Sequence, residues 1–229
     1  MRDSISTMDQ SVTIPVGETD LAGDLSIPAD AAGLVLFAHG SGSSRRSPRN
    51  RQVAELLHEH RLATLLFDLL TDDEASVDDS TGHLRFDIGF LADRLIAVTD
   101  WLATQVAVAD RPIGYFGAST GAAAALVAAA NRQTVVRAVV SRGGRPDLAM
   151  PVLREVRAPT LLIVGANDRD VIPLNERAYQ ELQSPKELVL VPGATHLFEE
   201  PGTMDQVAKL AANWFTNWLA ARDITTREA

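Results

Sequence analysis

The sequence has no cysteine. Disulfides, thiolate metal sites and a cysteine nucleophile are therefore excluded. Long apolar runs are missing too: nothing approaches the roughly 18 uninterrupted apolar residues of a membrane span. Basic charge is in deficit, with 21 Lys and Arg against 30 Asp and Glu, giving a net charge of −9. An acidic chain lacks the basic face that binds phosphate backbones, so no nucleic-acid partner is expected. No H-E-x-x-H or comparable spacing occurs, so no zinc site is expected. Residues 1–10 are polar and lack the basic and apolar regions of a secretory signal. They read as a flexible tail, and the protein as cytoplasmic with no membrane partner.

What is present is 229 residues with 46% hydrophobic content, ample for a core. The alternating stretches Ser11 to Val16 and Leu21 to Ile27 predict a β-hairpin around Gly17. Continuous apolar runs follow at 34–38, 63–67, 113–116, 135–140, 161–164 and 188–191. Such runs suit strands buried on both faces of a parallel sheet. Amphipathic or alanine-rich segments lie between them, notably 88–102, 122–130 and 207–218. Strands alternating with helices predict an α/β fold, a mostly parallel sheet with helices on both faces. One domain over 11–222 is expected, with a second flexible tail at 223–229. The acid-rich stretch from Leu69 to about Gly82 reads as a long loop. The arginine cluster 45–51 and the acids 72–79 read as solvated surface.

Four motifs sit at strand ends. Gly117-Ala118-Ser119-Thr120-Gly121 matches G-x-S-x-G, a sharp strand-to-helix turn that presents a serine nucleophile. His39-Gly40-Ser41-Gly42 is a glycine-rich turn able to aim N–H groups at an oxyanion; Ser41 and Thr120 are the expected donors. His39 is expected to brace that turn rather than to react. Asp168 follows the strand 161–164, and His196 lies just beyond 188–191. The order Ser119, Asp168, His196 suits a nucleophile, an orienting acid and a base. Asp170 is a rival acid. His58 and His60 are expected to serve packing or solvation; His83, beyond the acidic stretch, is within reach of the expected pocket but has nothing to orient it.

On these motifs the sequence resembles the dienelactone hydrolase-like branch of the α/β-hydrolases over nearly its whole length. The resemblance implies an eight-stranded sheet with the second strand antiparallel, and hydrolysis of a small ester, lactone or related acyl compound without a cofactor. Serine stands where dienelactone hydrolases proper carry cysteine, so the dienelactone substrate does not carry over. The short connection between Ser141 and Pro159 leaves no room for a large cap domain. The rate should fall on acidification as His196 takes a proton. Arg45, Arg142 and Arg145 lie near the expected site and are candidates for holding an anionic substrate group; pairing with the acidic stretch is the competing role. A non-catalytic ligand-binding module, or a peptidase, thioesterase or perhydrolase with the same triad, are the alternatives.

Overall fold

The computed structural model describes residues 6–220. The first two strands, β1 (Thr7–Val16) and β2 (Thr19–Pro28), form the expected hairpin. It starts earlier than the sequence suggests. Strand β1 claims Thr7 to Gln10 from the expected tail, because those residues pair with Leu25 to Pro28. Residues 1–5 of that tail and all of 223–229 lie outside the described residues.

The apolar runs become β3 (Gly33–Ala38), β4 (Leu62–Phe67), β5 (Ile113–Ala118), β6 (Val136–Arg142), β7 (Thr160–Gly165) and β8 (Lys186–Val191). All six residues of each of β3, β4, β5 and β7 are buried, which is why these strands lack alternation. The eight strands lie in the order β1-β2-β4-β3-β5-β6-β7-β8. Strand β2 runs antiparallel to both neighbours, and every pairing from β4 onward is parallel. This is the α/β-hydrolase architecture.

The described residues form six helices, α1 (Pro48–Glu59), α2 (Asp72–Thr81), α3 (Ile88–Leu102), α4 (Thr120–Asn131), α5 (Ile172–Glu181) and α6 (Thr203–Leu219), and all but α2 cover the sheet. Helices α1 and α6 pack on one face around Phe37, Phe116, Val207 and Phe215. Helices α3, α4 and α5 cover the other, around Leu95, Tyr115 and the α4 alanines. The small side chains of α4 let its backbone approach the sheet closely. A 3-10 segment, Pro146–Glu155, bridges β6 and β7, and no cap domain is inserted there.

Helix α2 corrects the sequence reading of 69–82 as a loop. Thr71 caps it, accepting from the Glu74 amide, while the Glu74 carboxylate accepts from the Thr71 amide. Gly82 closes it in the left-handed conformation (φ 65°). Three acids in its first turn complement the helix dipole. Its lack of an apolar stripe hid it: only Asp78 is buried among its residues.

Candidate active site

Ser119 is the single residue between β5 and α4, at φ 50° and ψ −120°. A residue with a side chain adopts that geometry at a cost of about 1–3 kcal/mol. The turn is held by backbone bonds: the Ser119 amide donates to the Arg142 carbonyl (3.3 Å), and the Ser119 carbonyl accepts from Arg145 (3.1 Å) and Ala122 (3.1 Å). The flanking glycines are steric necessities. A Cβ at Gly121 would stand 2.2 Å from the Ala38 carbonyl oxygen, and one at Gly117 2.4 Å from the Ala122 Cα. The Ser119 hydroxyl has no hydrogen-bond partner among the described residues.

The glycine-rich turn after β3 lies directly against it. A Cβ at Gly40 would be 3.1 Å from that of Ser119. The Ser41 and Thr120 hydroxyls meet at 3.0 Å, tying the turn to the start of α4. The backbone N–H groups of both residues have no acceptor among the described residues. His39 braces the turn as expected: its Nδ1–H donates to the Gly40 carbonyl (3.0 Å) and its Nε2 accepts from the Leu69 amide (3.0 Å). Burial pushes its pKa below the ordinary 6.5, against smaller opposing contributions from Gly40 and Asp68. The neutral ring that this favours is the one both bonds require.

On the other side, His196 Nδ1 donates to Asp168 Oδ2 at 2.7 Å. Asp168, not Asp170, is the partner. Its loop is fastened to the histidine loop by Asn167, whose amide donates to the Ala194 carbonyl (2.9 Å) and whose side chain donates to that of Gly193 (3.0 Å). Glu200 accepts from the Thr195 amide (3.1 Å) and hydroxyl (2.6 Å), with the hydroxyl bond the main reason its pKa is lowered. A Cβ at Gly143 would lie 3.0 Å from the His196 carbonyl oxygen and 3.6 Å from its Nδ1. The turn 142–145 therefore touches the Ser119 backbone and the His196 ring at once. The expected hydrogen bond between the Ser119 hydroxyl and His196 is not formed, so the relay is joined at its histidine–aspartate link alone.

The three candidate arginines part company. Arg45 pairs with Asp68 and, at 3.8 Å, with Asp24. Arg145 holds Asp147 through two bonds of 2.8 Å. Arg142 is buried, 7% exposed, and its side chain makes no hydrogen bond or ion pair among the described residues. Burial, reinforced by the Arg49 charge, pulls its pKa down to about 10.

A cleft of about 430 Å³ opens on the oxyanion side, lined by Gly40, Ser41, Leu70, Arg85, Leu91 and Thr120. Helix α2 shapes it through Asp78. Its buried carboxylate accepts from Arg85 Nε (2.5 Å) and from the amides of Leu84 (2.6 Å) and Arg85 (3.2 Å). Burial would raise the Asp78 pKa; the Arg85 bonds and the Leu84 amide outweigh it and hold it below 3.8. The Arg85 carbonyl in turn accepts from the Ser41 hydroxyl at 3.4 Å. His58 packs against Thr64 (2.8 Å), and His83 is exposed outside the cleft. Among the described residues no three His, Asp or Glu side chains converge as metal ligands, and no helix is long and apolar enough to cross a membrane.

Known proteins share this fold. The model of the dienelactone hydrolase family matches residues 71–222. A dienelactone hydrolase from Anabaena variabilis is 58% identical, with a TM-score of 0.92 over 93% of this chain and 99% of that one. Est1E from Butyrivibrio proteoclasticus shares the fold at 16% identity, with a TM-score of 0.76 over 90% of this chain and 98% of its own. Proteins of Mycobacterium tuberculosis that bear the name of a phosphoribosyl transferase are 58% identical over 92% of this chain. The chain spans about half, 47%, of the length of those curated relatives. The chain belongs to the dienelactone hydrolase family.

Proposed function

We propose that this chain hydrolyses small carboxylic esters or lactones by acyl transfer, with Ser119 as nucleophile, His196 as base and Asp168 as the acid that orients it. The observation that carries this reading is the strained Ser119 at the start of α4, bonded through its backbone to the turn 142–145, which also lies against a histidine whose Nδ1 is committed to Asp168 at 2.7 Å. That bond fixes the tautomer that leaves Nε2 free to accept a proton.

In the forward step His196 Nε2 takes the hydroxyl proton while Ser119 Oγ bonds to the substrate carbonyl carbon. The carbonyl oxygen becomes an oxyanion facing the N–H groups of Ser41 and Thr120. Each such donor lowers the barrier by about 3 kcal/mol. Collapse breaks the bond to the leaving oxygen, which receives the proton from His196. Water then repeats the sequence on the acyl-enzyme and releases the acid and the free serine. The open cleft beside Thr120 suits compact acyl groups. We assign the transferase activity in the name of the tuberculosis relatives to the half of their length that this chain does not match.

The test is a panel of short-chain p-nitrophenyl esters, lactones and thioesters against the wild type and Ser119→Ala. Loss of at least about a thousandfold in kcat/KM, with an unchanged unfolding temperature, is expected. Equal activity of both proteins on every substrate, or a folded wild type inert to all of them, contradicts the proposal. The second outcome would favour a ligand-binding module.

A further inference from the structure

Among the described residues two arginines are buried, and they differ in having a carboxylate. Arg94 reaches Glu74 through Nη2 at 2.6 Å, its Nη1 being left without an acceptor. Arg142 has no carboxylate, and its Nε is buried without an acceptor. The charge that acts on it is of its own sign, from Arg49. Arg49 spends one terminal nitrogen on Glu199 (3.0 Å), an exposed acid, and its Nε is likewise buried and unsatisfied. The remaining contact of Arg142 is the ring of Phe198, 5.8 Å from its guanidinium carbon.

Burying an unpaired cation beside another costs free energy that the fold does not recover from its own groups. Two orphaned Nε–H donors on neighbouring guanidinium groups, with no carboxylate on Arg142, are best met by an acceptor carrying negative charge. Planar forks of N–H donors suit a carboxylate or a phosphate, whose oxygens they meet in pairs. Arg49 stands in the first turn of α1, where the helix dipole adds to the positive potential.

Location ties this place to the chemistry. Arg142 is the last residue of β6, its carbonyl accepts from the Ser119 amide, and the next residue, Gly143, lies against His196. Phe198 and Glu199 belong to the histidine loop itself. The site lies on the histidine side of Ser119, whereas the 430 Å³ cleft lies on the oxyanion side.

We infer that Arg142 and Arg49 form an oxyanion-recognition site beside the histidine loop, built to take a carboxylate or phosphate group, and that the occupant during turnover is an anionic group of the substrate. The second half rests on the hydrolase reading; the first does not.

Inorganic phosphate is the probe for the site, titrated against the unfolding temperature with chloride holding ionic strength constant. A saturable rise is expected in the wild type and equally in Ser119→Ala. It should vanish in Arg142→Met and weaken in Arg142→Lys, which keeps the charge but loses the fork. Without phosphate, Arg142→Met should unfold no earlier than the wild type, because it removes an uncompensated charge. No phosphate-specific rise in the wild type, or the same rise in Arg142→Met, overturns the site. Should Arg142→Met fail to fold, the lysine variant decides alone: an undiminished phosphate response in it rejects the recognition by a fork.

The substrate arm compares the p-nitrophenyl half-ester of a dicarboxylic acid with a neutral p-nitrophenyl ester of equal chain length. The ratio of their kcat/KM values should fall about tenfold in Arg142→Met. An unchanged ratio, with the phosphate response still lost, rejects the substrate's own anion as occupant and assigns the site to free phosphate. Full activity in Ser119→Ala would sink the hydrolase reading and leave the phosphate titration standing.

Discussion

The two flanks of Ser119 handle charge in opposite ways. On the oxyanion side Arg45 is matched with Asp68, Arg85 with Asp78 and Asp79, and Arg94 with Glu74, while the exposed Arg46 lines the cleft with no ion pair among the described residues. On the histidine side Arg142 has nothing, and Arg49 has one exposed glutamate. Matched charges there fix a wall, because Asp68 and Asp78 also bind backbone amides and Glu74 caps a helix. The unmatched pair fixes nothing in the resting protein, and its cost is recovered only when a ligand arrives. Reading which arginines are satisfied thus separates scaffold from recognition more sharply than counting arginines near a site.

Four substitutions would break or sharpen that contrast. The largest effect is expected where the flanks meet, at the acid behind His196. Asp168→Asn keeps the shape but presents an amide donor to Nδ1, favouring the wrong imidazole tautomer. Ester hydrolysis should fall about 10⁴-fold while folding is retained. A loss below tenfold would mean that Asp168 does not orient the base. Next comes Arg142→Met, expected to cost about tenfold in preference for an anionic substrate and to abolish the phosphate response.

Asp78→Asn probes the matched flank through pH. The folded pKa of Asp78 lies below its ordinary 3.8, so its ionisation favours the folded state. That stabilisation is fully present above the ordinary value and is lost as pH falls through the folded one. The wild type should therefore unfold at a higher temperature than Asp78→Asn near neutrality, and the gap should close on acidification below about pH 4. A gap independent of pH would show that Asp78 acts through shape alone. The smallest effect belongs to Thr71→Ala, which removes one arm of the cap on α2. It should cost about 1 kcal/mol in chemical denaturation, with hydrogen exchange rising in 72–81 before the core responds. Unchanged exchange there would mean that the contacts of Asp78 hold α2 without its cap.

Much of this was legible in the residues. Buried strands announced themselves as unbroken apolar runs, and the motifs at their ends gave the order Ser119, Asp168, His196. His39 was readable as a brace because it opens the glycine turn, and its two ring bonds bear that out. Helix α2 was misread because hydrophobic periodicity is silent when a helix buries a carboxylate instead of an apolar stripe. The signal that could have found it was the cap, Thr71 followed three residues on by Glu74, with Gly82 at the far end. The fastening of Asn167 to the histidine loop, and the absence of a partner for Arg142, depend on which loops meet in space. No local pattern carries that information. Arg45, Arg142 and Arg145 looked equivalent in sequence, and only their neighbours distinguish them.

The most direct test of the central claim is covalent. A fluorophosphonate probe reacts with a serine hydroxyl when a neighbouring base activates it. Mass mapping of the labelled protein should place one adduct on Ser119, with labelling lost in Ser119→Ala and slowed at least about a hundredfold in His196→Ala. A folded protein that takes no label at Ser119, or labels equally fast without His196, would contradict the account.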